Sequence, residues 1–156
     1  MAGSSRWRLC VLPFIVTMVL ACGDSPSEPS YENIAGTYAG VLAGISQGVA
    51  LAGTFSITVQ QAGGDVSGSY SMAGTLDDGV IQVDIQGTGT LSGTIGTGTN
   101  PSVNITLRTG FCPNYSAGFS GTYDSANRRI TLFGPVDVLD QCQVFLRYQS
   151  TVVLQR

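Results

Sequence analysis

Apolar and polar residues alternate along four segments of the chain, namely 53–60, 81–86, 103–108 and 144–155. In the first of these, Phe55, Ile57 and Val59 are separated by polar residues. Alternation with a period of two is typical of β-strands that bury one face. No segment combines helical spacing with capping residues. The sequence therefore predicts an all-β fold.

Turn signals separate the apolar rows and indicate how many strands to expect. Five such signals occur: Ala62-Gly63-Gly64-Asp65, Asp77-Asp78-Gly79, Asn100-Pro101, Ser125-Ala126-Asn127 and Gly134-Pro135. Tight turns between short strands favour antiparallel neighbours. We predict an up-and-down antiparallel β-barrel of about eight to ten short strands, with a β-sandwich as the alternative. The alternation alone leaves open a transmembrane barrel, in which the apolar rows would face lipid.

A pentamer of the form apolar, small, Gly, Thr or Ser, apolar occurs six times, although its spacing is irregular. Its glycines are Gly36, Gly53, Gly68, Gly74, Gly93 and Gly121. On a strand, the glycine and both apolar ends point to the same side. A glycine on the buried face allows a sheet to bend sharply. We therefore expect these glycines on the inner face of a tightly coiled barrel. The side chains expected beside them are Phe55, Ile57, Val59, Tyr70, Ile105, Leu107, Leu132, Leu146 and Val152.

The first residues have the order of an export signal. Arg6 and Arg8 precede an apolar run that ends at Ala21. The sequence Val19-Leu20-Ala21-Cys22 resembles the lipobox of bacterial lipoproteins. The resemblance implies that residues 1–21 are a signal peptide and that Cys22 is the lipidated first residue of the mature protein. Residues 22–32 are then a flexible, proline-containing tether, and 33–156 form a single β-domain.

Lipidation and export also define the environment of the remaining cysteines. The resemblance implies a bacterial cell-envelope protein that contacts the membrane through acyl chains. Because Gly23 rather than Asp follows the lipidated cysteine, the outer membrane is the expected location. Once Cys22 carries lipid, Cys112 and Cys142 remain as an even pair in an oxidising compartment. We predict a disulfide between them.

Gly36-Thr37-Tyr38 resembles the Gly-x-Trp start of the lipocalin and avidin superfamily, with Tyr in place of Trp. The resemblance covers about one strand and the general plan of the domain. If the barrel binds a ligand, we predict that Tyr38, Phe55, Tyr70 and Tyr123 line its cavity.

The residue inventory argues against catalysis and against nucleic-acid binding. The chain has no His and no Lys, and its net charge is −3. A Ser-His-Asp unit, a Schiff-base lysine and a basic nucleic-acid surface are therefore excluded. Carboxylates are the remaining catalytic option, at Asp65, Asp77, Asp78, Asp84, Asp137 and Asp140. Asp65, Asp77 and Asp78 lie in predicted turns and Asp84 faces outward on a predicted strand, so we expect no enzyme activity, no metal and no cofactor.

Two functions remain open. In the first, the barrel binds a small apolar or amphipathic ligand. In the second, the interior is packed and the outer surface contacts another envelope protein, as in a scaffold or an inhibitor of cell-wall hydrolases. The presence of a cavity distinguishes the two hypotheses, because a ligand site needs a few hundred Å³.

Overall fold

The computed structural model describes residues 28–156 and contains eight β-strands. Their bounds are β1 Gly36–Ser46, β2 Val49–Ala62, β3 Asp65–Asp77, β4 Gln82–Ile95, β5 Ser102–Thr109, β6 Ser116–Asp124, β7 Arg129–Asp140 and β8 Gln143–Gln155. The expected signal peptide, Cys22 and most of the expected tether lie outside the described residues.

The eight strands form a closed barrel in which every strand pairs with its sequence neighbours. All pairings are antiparallel, and β1 closes the ring against β8, with Leu42 opposite Val152. The predicted up-and-down barrel is confirmed, and the alternative of a β-sandwich is wrong. The strands are longer than the short strands predicted, and β2 and β4 have 14 residues each.

Most of the alternating rows divide between the interior and the outer surface, but Ile81, Val83 and Val144 are exposed at the ends of the predicted rows. Of the nine side chains expected inside, all but Leu146 are buried, and Leu146 is half-buried against the same core. The residues between them carry mainly Thr, Ser and Gln side chains on the outer face. Burial of each large apolar side chain contributes about 1.5–3 kcal/mol.

The six pentamer glycines share the parity of the inward-facing residues, as predicted. A Cβ atom added at Gly53, Gly93 or Gly121 would collide with a backbone carbonyl of the adjacent strand. The strands coil so closely at these points that a side chain has no room. The pentamers therefore mark positions where the small barrel needs an inner face without Cβ atoms.

One end of the barrel, here called the closed end, is packed. It carries the turns β2–β3, β4–β5 and β6–β7. The chain enters there, where Tyr31 pairs with Thr97 and the Gln61 side chain donates to the Glu32 carbonyl at 3.0 Å. Ile34 is 1% exposed and belongs to the core. Tyr31 and Glu32, the last residues of the expected tether, therefore contact the barrel.

The predicted turn at Gly134-Pro135 is wrong, because both residues lie inside β7. Pairing between β6 and β7 stops at Phe133, and from Gly134 onward β7 pairs only with β8. Proline has no N–H to donate and is tolerated at a strand edge. Pro135 therefore marks the point where β7 becomes an edge.

Candidate functional site

The opposite end, here called the open end, has an incomplete wall. Residues 82–88 of β4 pair only with β3, and residues 134–140 of β7 pair only with β8. The intervening strands β5 and β6 are the shortest, with 8 and 9 residues. Their connecting loop, 110–115, occupies the gap. The result is a side opening between the edges of β4 and β7.

A cavity of about 290 Å³ lies at this side opening. Its lining combines inward-facing strand residues with the loop and both open edges. The residues that line it are Phe55, Tyr70, Met72, Asp84, Ile85, Gln86, Gly87, Leu107, Thr109, Phe111, Tyr115, Ala117, Phe119, Pro135, Val136, Asp137, Val138 and Leu139.

Three aromatic rings form a continuous part of the cavity wall. Phe55 stacks on Tyr70 with ring centroids 5.8 Å apart and an interplanar angle of 6°. Phe119 lies against Phe55 at 6.4 Å in a tilted arrangement. All three side chains are more than nine-tenths buried. Such aromatic contacts hold their partners in fixed positions.

Two hydroxyl-bearing side chains of the lining come from strands on either side of β4. Tyr70 on β3 and Thr109 on β5 both pair with Gly89. A Cβ at Gly89 would lie 2.8 Å from Cε1 of Tyr70, so the tyrosine ring covers this glycine. Gly89 thereby lets the Tyr70 ring lie flat across β4. Burial raises the pKa of Tyr70 above its ordinary value.

Tyr115 connects the 110–115 loop to β7. Its hydroxyl donates to Oδ2 of Asp137 at 2.8 Å. The Asp137 side chain is fully buried, and Arg147 donates to both of its oxygens at 2.8 Å. Burial and the Asp137 hydrogen bond both raise the pKa of Tyr115. Because Arg147 compensates the charge of Asp137, this edge of the cavity carries no uncompensated carboxylate.

The predicted disulfide between Cys112 and Cys142 is confirmed, with Cα atoms 5.4 Å apart. Cys142 lies in the two-residue turn between β7 and β8, where Gln141 and Cys142 have φ values of 47° and 63°. Two left-handed residues are typical of a type I′ hairpin turn. The bond thus attaches the 110–115 loop to the end of β7, the strand that Tyr115 also contacts.

Of the four side chains that the sequence predicts in a cavity wall, two line the cavity and two do not. Phe55 and Tyr70 contribute to its wall. Tyr38 and Tyr123 do not, because they are buried in the packed half towards the closed end, at 0% and 4% exposure. Burial, together with the neighbouring Tyr123, raises the pKa of Tyr38 to about 12.

Sequence reasoning missed Thr109, Tyr115 and Asp137 at this site. Thr109 continues the inward parity of Val103, Ile105 and Leu107, so the alternation contained a signal for it. Tyr115 lies in a loop, and Asp137 lies beyond the supposed turn at Gly134-Pro135. Their contact depends on how the loop folds across the side opening, for which the sequence carries no pattern.

Several of the carboxylates that are candidates for catalysis stabilise turns or form ion pairs. Asp77 and Asp78 accept hydrogen bonds from the backbone N–H groups of Gly79 and Val80 at 2.7 and 2.8 Å. The Gln82 side chain and the Gly79 N–H lower the pKa of Asp77. The N–H groups of Ile81 and Val80 lower the pKa of Asp78. Within residues 28–156, no group of three or more His, Cys, Asp or Glu side chains is arranged to hold a metal ion.

Two further observations concern the chain as a whole. In the part of the chain that the structure describes, no helix has the length and the apolar character needed to cross a membrane. Comparison with protein-family models, with curated protein sequences and with solved structures found no significant match.

Proposed function

We propose that this chain is a lipid-anchored, non-catalytic protein of the bacterial cell envelope whose barrel binds a small apolar or amphipathic ligand at its open end. The observation that carries the ligand-binding part is the cavity of about 290 Å³ at the side opening. Small-molecule sites commonly measure about 300–1,000 Å³, so this cavity suits a compact ligand.

The character of the cavity wall supports an apolar ligand. The aromatic rings of Phe55 and Phe119 and the side chains of Leu107 and Val136 form much of its surface. Only a few polar groups interrupt it, which is the usual composition of a small-molecule site. The free energy of binding would come mainly from removing the apolar surface of the ligand from water.

The position of the chain entry supports the anchored arrangement. Tyr31 and Glu32 reach the barrel at the closed end. A tether that begins at Cys22 would therefore join the barrel at the end opposite to the ligand cavity. In this arrangement the open end faces away from the point of attachment, and a ligand can enter without passing the tether.

The anchor is tested by mass spectrometry of the protein from the membrane fraction of its native host. We expect a mature chain that starts at Cys22 and carries added acyl mass. The C22S variant should accumulate with residues 1–21 still attached. An unmodified Cys22 in the mature native protein would overturn the lipoprotein assignment.

Ligand binding is tested by thermal unfolding of the protein with a panel of fatty acids and small apolar compounds. A ligand at about a hundred times its Kd should stabilise the protein by about 2.7 kcal/mol. The variant A117L adds bulk to the cavity wall and should abolish the shift in melting temperature that the ligand causes. Its matched control is A52L, because Ala52 is exposed on the outer face of β2.

A second candidate function is a protein-interaction module, which is favoured by the apolar surface at the open end. Val80, Phe111 and Phe145 are 89%, 66% and 76% exposed there. This alternative predicts that no compound in the panel shifts the melting temperature. It also predicts that a photo-crosslinker in place of Phe145 captures one discrete envelope protein in the native host.

A further inference from the structure

The cavity contains two hydroxyl groups whose protons have no acceptor among residues 28–156. Tyr70 is 8% exposed, and none of the side-chain hydrogen bonds found within residues 28–156 involves its hydroxyl. Thr109 is 7% exposed, and its Oγ1 accepts the backbone N–H of Phe111 at 3.2 Å. Each side chain therefore keeps one hydroxyl proton to donate.

The register of the strands brings these two groups to the same part of the wall. Both residues pair with Gly89, and the Tyr70 ring lies over that glycine in the direction of β5. The stack on Phe55 fixes the ring in this position. The hydroxyls of Tyr38 and Tyr148, in contrast, are fully enclosed by the protein. The Tyr70 hydroxyl is thus available to a molecule in the cavity.

The charged groups near the cavity limit the ligand further. Arg147 is not among the lining residues, and its charge is compensated by Asp137, to which it donates two hydrogen bonds. Asp84, the other carboxylate of the lining, would repel an anionic ligand. The Tyr115 proton is also donated to Asp137. A ligand carboxylate would therefore bring an uncompensated charge into an apolar site, which is unfavourable.

We propose that the cavity selects a neutral ligand that carries a carbonyl group on a compact apolar body, such as a ketone or an ester, and that Tyr70 and Thr109 donate hydrogen bonds to the carbonyl oxygen. A carbonyl oxygen has two lone pairs and no proton of its own, which matches two donors. This inference rests on the ligand-binding function proposed above.

The test compares hexyl methyl ketone, octane and octanoate by calorimetric titration of the protein at neutral pH. We expect the ketone to bind and octanoate to bind at least about tenfold more weakly. The variant Y70F should weaken ketone binding roughly three- to tenfold and leave octane binding unchanged, because only the hydrogen bond is lost. T109V should act in the same direction. Y123F is the matched control, because Tyr123 lies outside the cavity. It should change neither the ketone affinity nor the octane affinity.

Infrared spectroscopy gives a second readout that does not depend on affinity. The carbonyl stretch of the bound ketone should lie below its value in an apolar solvent and should return towards that value in Y70F. If none of the three compounds binds, the ligand-binding function itself is wrong. If the ketone and octane both bind but Y70F and T109V affect neither the ketone affinity nor the carbonyl stretch, or if octanoate binds best, only the carbonyl selection is overturned.

Discussion

Cys112 and Cys142, whose Cα atoms lie 5.4 Å apart, join the loop that borders the cavity to the turn between β7 and β8. Tyr115 makes a second connection from the same loop to Asp137 on β7. Both connections lead to one side of the side opening. The loop is therefore fixed to β7 and β8, while it has no backbone hydrogen bond to the edge of β4 in the described residues.

Removal of the disulfide should destabilise the protein and weaken ligand binding together. The bond spans 30 residues, and a loop of this size contributes roughly 3–4 kcal/mol on the chain-entropy model. We expect this loss in urea unfolding of the C112A/C142A double variant. Wild-type protein under a reductant serves as the control and should behave in the same way. Equal unfolding midpoints for oxidised and double-variant protein would contradict the prediction.

The glycines of β6 provide a matched pair for the role of the inner face. A Cβ at Gly121 would collide with the Thr131 carbonyl, whereas a Cβ at Gly118 meets no atom within 4 Å. G121A should lower the free energy of unfolding by about 2–3 kcal/mol or prevent folding. G118A should change it by no more than about 0.5 kcal/mol. Similar stabilities for the two variants, measured by chemical denaturation, would show that the inner glycines are not required for closure.

Loss of the hydroxyl group should destabilise the protein at Tyr115 but not at Tyr148. The Tyr115 hydroxyl bonds a buried carboxylate, and hydrogen bonds to charged groups contribute about 1.5–3 kcal/mol. Y115F should therefore destabilise the protein by about that amount. The Tyr148 hydroxyl is buried and has no hydrogen-bond partner among residues 28–156, so Y148F should cause no loss of stability. A larger loss in Y148F than in Y115F, measured by thermal unfolding, would contradict this account of the two hydroxyls.

Alkaline pH should destabilise the barrel through Tyr38. Its pKa is raised from 10.0 to about 12, chiefly by burial. A raised pKa means that the folded state holds the proton more tightly than the unfolded chain. The associated stability is present below about pH 10 and is lost as the pH rises to about 12. Y38F should reduce the loss of stability in this pH range, and the remaining loss comes from other tyrosines with raised pKa values, such as Tyr115. An unchanged profile in Y38F would show that Tyr38 does not contribute.

The alternation of residues and the turn signals predicted an antiparallel barrel, with a β-sandwich as the alternative, together with most of its inward rows and the inner glycines, because a period of two assigns residues to one face of a strand. The disulfide could be predicted from the number of cysteines together with the expected export. These predictions depend on residue patterns and on the number of cysteines. They require no knowledge of how far each strand extends beyond its neighbour.

The side opening could not be predicted in this way, because it arises from unequal strand lengths around a closed ring. The sequence predicts a turn at Pro135, although in the structure this residue lies where β7 loses its pairing with β6. Tyr38 was expected in the cavity, since its parity is correct. Parity assigns a residue to the inner face and does not say whether it lies in the packed half or the open half.

The most direct measurement is an NMR titration of the methyl-labelled protein with toluene, a compound small enough for the cavity. If the open end is the ligand site, the methyl resonances of Met72, Leu107 and Ala117 should shift and show contacts to the toluene ring. Those of Val59 and Ile130, which are buried towards the closed end, should remain unchanged. Methyl resonances of the cavity that stay fixed while toluene is in large excess would contradict the proposal that this barrel binds a ligand at its open end.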